Sequence, residues 1–88
     1  MKIEIKIFGN ILVSRPSGQE ALATILSQNV TLGENEGIEL DFSDVSVVAP
    51  GWLDEVYSGL RDQYGDRVKI VPTQNITVIE SMNVIQSS

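Results

Sequence analysis

The residues of this chain that could do chemistry are its carboxylates, and two of them, Asp54 and Glu55, stand side by side. Such a pair invites an acid/base reading. On a helix, however, consecutive side chains diverge by about 100° and do not converge on one substrate atom. Asp54 and Glu55 therefore read as charges near a helix N-terminus, where the dipole favours them, and as interface charges. The chain has no His and no Cys. Zinc sites of the usual kinds, thiol nucleophiles and Ser-His-Asp triads are excluded, and no residue pattern calls for a cofactor. Ser43, Ser46 and Ser58 are hydroxyls that could accept phosphate, but nothing in their surroundings marks them. Arg15 either pairs with Asp41 or Asp54, in a buried bridge fixing the first helix against the sheet, or anchors an anionic ligand; pairing is the expected role. This inventory does not describe an enzyme.

The net charge is -6, and its placement is uneven. No basic residue lies between Arg15 and Arg61, while Glu20, Glu34, Glu36, Glu39, Asp41, Asp44, Asp54 and Glu55 all do. Binding nucleic acid requires clustered cations to neutralise phosphates, so no nucleic-acid partner is expected. A protein with a basic surface fits, because complementary fields speed encounter and reject wrong partners. The same acidity also serves solubility. Asp44, Trp52, Asp54 and Glu55 are the expected partner-binding residues. Trp52 is either an interface anchor, since Trp is enriched at interface centres, or a core residue; the sequence leaves both open.

At 88 residues, 42% of them hydrophobic, the chain has room for one core, and a single domain over residues 1–88 is expected. No apolar run approaches the roughly 20 residues that span a bilayer. MKIEIKIFGN alternates charge and isoleucine without a long apolar stretch, so no signal peptide is expected there. A cytoplasmic protein without a membrane partner is expected, and the sequons at Asn29 and Asn75 are read as chance matches.

The elements that must position these residues follow from hydrophobic period. Ile3, Ile5 and Ile7 alternate with Lys2, Glu4 and Lys6, which predicts a half-buried strand from Lys2 to Phe8. Gly9-Asn10 before Ile11-Leu12-Val13 predicts a tight hairpin. Ser14 or Arg15 caps a first helix, with Pro16 in its first turn. Leu22, Ile25, Leu26 and Asn29 form its inner stripe, and Gly18 and Ala21 suit a helix lying close on a sheet. Ile38, Leu40 and Phe42 alternate with Glu39 and Asp41 in a second clear strand. After a Ser43-Asp44 turn, Val45, Val47 and Val48 extend the apolar path to Pro50. Trp52, Leu53, Val56, Leu60 and Tyr64 give the next helix its buried stripe, Asp54, Glu55 and Asp62 face water, and Gly65 ends it. Val68 and Ile70 share a face of a short strand. A last helix is expected from about Gln74 to Asn83 on the spacing of Ile76, Ile79 and Met82, with a frayed end.

Taken together, Ser14-Arg15 before the first helix, Asp41-Phe42 ending the central strand, and Trp52-Leu53-Asp54-Glu55 early in the second helix resemble the STAS-like domains of unknown function. These are relatives of the anti-sigma-factor antagonists. The resemblance runs through nearly the whole chain. The elements read above run in the order β-β-α-β-α-β-α, and their alternation after the hairpin predicts a four-stranded mixed sheet with about three helices; an α/β fold is also what the resemblance implies. The resemblance further implies regulation by protein contact, beside a histidine-kinase-like ATPase or as a signalling module. In the antagonists a serine at the start of the second helix is phosphorylated by a partner kinase. Here that place reads Ala49-Pro50-Gly51-Trp52, without a hydroxyl. The pattern also stops short of the antagonists' final strand and helix.

Two functions compete on this reading. One is a non-catalytic regulatory interaction module of the STAS-like type that lacks the phosphoacceptor serine. The other is a small acidic inhibitor or decoy that blocks a basic surface of a nucleic-acid-handling protein.

Overall fold

A computed structural model describes residues 1–28 and 31–87. Among these it contains β1 (Lys2–Glu4), β2 (Ile11–Leu12), α1 (Arg15–Leu26), β3 (Ile38–Asp41), β4 (Val47–Val48), α2 (Pro50–Tyr64), β5 (Val68–Ile70) and α3 (Ile76–Ser87). The α/β class and the three helices agree with the expectation, but the sheet does not. Five strands form two small parallel sheets, one ordered β1-β3-β5 and the other β2-β4, in place of one four-stranded mixed sheet.

The physical reason lies at Ile5–Phe8 and Ser43–Asp44. The first strand ends at Glu4, and Ile5–Phe8 coils into a 3-10 turn, so of the expected Lys2–Phe8 strand only the first 3 residues are strand. Ile5 is buried, but Ile7 is 65% exposed. The Gly9-Asn10 hairpin does not form. Instead β1 pairs with β3, and β2 with β4, both parallel. Each of the two chain segments breaks once, the first at the 3-10 turn and the second at Ser43-Asp44. The breaks are tied by an ion pair of 3.6 Å between Lys6 and Asp44. α1 carries the chain from β2 to β3 and α2 from β4 to β5, the crossovers that parallel strands require.

β3 sits at the centre of its sheet, as its alternation indicated. Ile38, Leu40 and Phe42 are all buried. Lys2, Glu39 and Lys69 lie in register across β1, β3 and β5 and are exposed. One face of the sheet is thus apolar and covered, and the other presents opposite charges to water.

α1 opens as read. Ser14 is the cap and its hydroxyl accepts the Ser17 N–H at 3.2 Å. Gly18 turns out to serve a helix contact, not a sheet contact: a Cβ there would lie 2.8 Å from the Trp52 carbonyl oxygen. Leu22 in turn lies over Gly59 of α2. Asn29, assigned to the inner stripe of this helix, lies outside the described residues.

α2 buries Trp52, Leu53, Val56, Tyr57 and Leu60, each worth roughly 1.5–3 kcal/mol of apolar transfer. Tyr64, expected on that stripe, is only partly buried.

α3 starts later and runs further than expected. Asn75 sets its start by accepting the Thr77 N–H at 2.9 Å. Its inner face is also different. Val78 and Ser81 are buried, whereas Ile76 and Ile79 are 59% and 41% exposed. The helix is turned by its polar residues. The Thr77 hydroxyl accepts the Val48 N–H at 3.0 Å, and the Ser81 hydroxyl donates to the Val48 carbonyl at 2.9 Å. Together they stand in for a further strand beside β4.

Candidate functional site

Arg15 is the first residue of α1, and the packing of Gly18 against the Trp52 backbone brings it over the start of α2. Its Nη1 donates to Asp54 Oδ2 at 2.9 Å and to Glu55 Oε1 at 3.3 Å. One guanidinium thus bridges two consecutive carboxylates that the helix alone splays apart. Ser58, one turn on, donates to Asp54 Oδ1 at 2.8 Å, and Gln19 reaches Glu55 at 3.5 Å. The pairing expected of Arg15 is real, but it joins α1 to α2 at the surface instead of fixing α1 to the sheet in the core. The Arg15 and Asp54 side chains are 55% and 37% exposed. Asp41 is engaged elsewhere: it accepts the Ser43 N–H and hydroxyl at 2.9 and 2.7 Å and faces Lys2.

The electrostatics follow from these contacts. The Ser58 hydroxyl and then Arg15 hold the Asp54 carboxyl below the usual aspartate range. Hydrogen bonds to Asp54 and Glu55 raise Arg15 further into its charged form. The Ser43 hydroxyl and amide lower Asp41.

The helix-dipole role expected for Asp54 and Glu55 is not realised. α2 begins at Pro50 and has no acidic residue in its first turn. Asp54 is the fifth helical residue, and the dipole's influence fades within one turn. The start of α2 is bare of side-chain caps: Ala49 makes none, and its carbonyl accepts the Leu53 N–H at 3.1 Å.

Trp52 is fully buried, so the structure answers the question its sequence position left open. It is part of the core, with the Phe8 ring tilted against it at 6.3 Å. Its Nε1 has no hydrogen-bond partner among the described residues. Asp44 is separate from the Arg15 cluster in its contacts. It occupies a left-handed turn position (φ 67°) that Asp tolerates better than most residues, and its side chain is 79% exposed. Of the four predicted residues, the structure therefore brings two together around Arg15, leaves one on a turn and encloses one.

An open depression of about 700 Å³ lies at the N-terminal ends of β3 and β5, lined by Met1, Glu36, Gly37, Asp66, Arg67 and Lys69 among others. No predicted site residue borders it. Two of its charges hold the 33–37 loop: the Met1 amine donates to the Gly37 carbonyl at 2.6 Å, and Arg67 donates to the Glu36 carbonyl at 3.0 Å and to that of Gly33. Among the described residues no helix is long and apolar enough to cross a membrane. None of their His, Cys, Asp or Glu side chains cluster in a way that could hold a metal ion.

Sequence reasoning missed the contact of Arg15 with Glu55 and the bonds of Thr77 and Ser81 to β4. The signal for the second was present: two hydroxyls, Thr77 and Ser81, four residues apart and so on one face of the helix. The comparisons bear on the fold. Residues 17–77 match a family described as a STAS-like domain of unknown function. No curated protein and no solved structure matches the chain.

Proposed function

The chain belongs to this STAS-like family, and from that premise we propose that it is a non-catalytic regulatory module. It acts by binding another protein through the acidic surface of α2, without phosphorylation at the start of that helix. One observation carries the reading. α2 spends its large apolar side chains on the core, from Trp52 to Leu60, so what it offers a partner is charge: Asp54, Glu55 and Asp62. Arg15 bridges the first two, and carboxylates already oriented lower the ordering cost of an encounter. A basic partner surface competes with Arg15 for these carboxylates and meets Asp44 on its exposed turn. A histidine-kinase-like ATPase is the partner class that the family's regulatory relatives suggest.

The decoy reading uses the same surface, since a net charge of -6 on a small chain suits the blocking of a basic groove. The identity of the partner separates the two. Capture from the cells that make the chain, followed by mass spectrometry, distinguishes a signalling ATPase from a nucleic-acid-handling protein. Loss of that capture on reversing Asp54 and Glu55 to Lys supports the α2 surface; unchanged capture rejects it.

A further inference from the structure

Among the described residues no strand or helix pairs with the outer edge of β2, and the only strand partner of β2 is β4. The ladder uses Asn10 and Leu12: their carbonyls accept the N–H groups of Val47 and Ala49 at 3.0 and 2.8 Å. Backbone alternation therefore turns the N–H and C=O of Ile11 and Val13 to the far side. The other edges are treated differently. β1 and β5 carry Lys2, Glu4 and Lys69, and the free side of β4 is bonded to Thr77 and Ser81. Charge and a covering helix are both defences against pairing with another chain. β2 has neither. Residues 7–14 hold no charge and no proline, and Ile11 and Val13 are 63% and 56% exposed.

We propose that this edge pairs with the same edge of a second copy of the chain, β2 against β2, antiparallel about a two-fold axis at Leu12. The outward groups set the register. Ile11 stands opposite Val13 of the second copy, Val13 stands opposite the Ile11 of that copy, and each pair exchanges both N–H···O bonds.

Two observations select a second copy over an unrelated strand. Pairing joins two β2-β4 ribbons into a continuous sheet whose outer strands are both β4, each already closed by Thr77 and Ser81. An unrelated strand leaves its own edge open. Charge points the same way. Each copy carries -6, so two copies can meet only where carboxylates do not face one another. Residues 5–19 contain no carboxylate. The two cations in that stretch, Lys6 and Arg15, are balanced within their own copy by Asp44, Asp54 and Glu55. The edge is a near-neutral seam on an acidic molecule. A strand this short buries less than the roughly 800 Å² per partner of a stable complex, so the dimer is weak and depends on concentration.

Sedimentation equilibrium of the 88-residue chain, from micromolar to millimolar, tests this. The expected result is a monomer–dimer equilibrium that tightens as salt rises, because screening removes the repulsion between two net-negative bodies. The amides of Ile11 and Val13 gain hydrogen-exchange protection over the same range. Ile11→Lys places a charge on the edge and raises the dissociation constant roughly tenfold or more. Val84→Lys, at a site on α3 that is 53% exposed and off the edge, leaves it unchanged. Should Ile11→Lys fold poorly, the exchange measurement on the unaltered chain decides. A chain monomeric at millimolar concentration, a dimer indifferent to Ile11→Lys or weakened by salt, or amides that stay unprotected overturns the proposal.

Discussion

Arg15 and Asp54, 39 positions apart in the chain, meet at 2.9 Å where α1 packs on α2. The contact exists because Gly18, one turn beyond Arg15, lets the α2 backbone approach to the distance at which a Cβ would collide. A close backbone approach thus sets the geometry of a surface charge cluster. The pair is exposed, so its energetic worth is that of a surface bridge. A double-mutant cycle on Arg15→Ala and Asp54→Ala, read by denaturant unfolding, should give a small favourable coupling that salt weakens. Coupling of zero would mean that the guanidinium does not hold the carboxylate in solution.

Acid should weaken the same cluster. The carboxyl of Asp54 is lowered in the folded state by Ser58 and Arg15, so the unfolded chain binds the proton more readily. The contribution is complete above the ordinary aspartate value, about 3.9, and is lost as pH falls through the lower folded value. Asp41 and Glu36 carry the same sign. Stability measured between pH 6 and pH 2 should therefore fall less steeply in Asp54→Asn than in the unaltered chain, and the gap between them should close in acid. A pH-independent gap contradicts this.

Gly18→Ala should destabilise despite the better helix propensity of Ala. Propensity favours Ala by about 1 kcal/mol, but the new methyl meets a backbone oxygen at 2.8 Å and cannot displace it cheaply. A net loss of roughly 1–2 kcal/mol is expected, measurable as a lower midpoint in urea. A gain in stability would mean that the two helices lie further apart.

Trp52 should behave as a core residue. Trp52→Ala should cost roughly 3–5 kcal/mol of unfolding free energy. Trp52→Phe should cost distinctly less, because it keeps most of the packing and removes an indole N–H that has no partner among the described residues. Equal losses in the two variants would indicate that the N–H is satisfied in solution.

The start of α2 should take no phosphate. Ala49, Pro50, Gly51 and Trp52 offer no hydroxyl. Incubation with a cognate kinase, followed by peptide mass spectrometry, should leave residues 43–52 unmodified. A phosphopeptide at Ser46 would show a shifted switch and contradict the reading.

What the sequence disclosed was local. The alternation of Ile38, Leu40 and Phe42, the cap at Ser14 and the stripe from Trp52 to Leu60 depend on nearest neighbours and period, and each stands in the structure. What it concealed was non-local. Gly9-Asn10 has hairpin chemistry, but whether β1 turns back on β2 or each lies beside a later strand is decided by crossovers through two helices. The rotation of α3 was hidden because Thr77 and Ser81 gain bonds to Val48 that no helical pattern records. For the site, the adjacency of Asp54 and Glu55 was legible. Their role was not, because it depends on Arg15 reaching them from another helix; a helix that opens at Pro50, as the sequence itself indicates, already puts both carboxylates beyond its first turn.

The central claim is that α2 recognises a basic protein through Asp54 and Glu55. The most direct measurement is the association rate of the captured partner with the unaltered chain and with Asp54→Lys/Glu55→Lys, across a range of salt. Unfolding is followed in parallel, and Asp54→Asn/Glu55→Gln serves as the milder variant. The account predicts slower association and a flatter salt dependence in both variants while each remains folded. An unchanged rate and salt slope in folded variants would contradict it and place recognition on another surface.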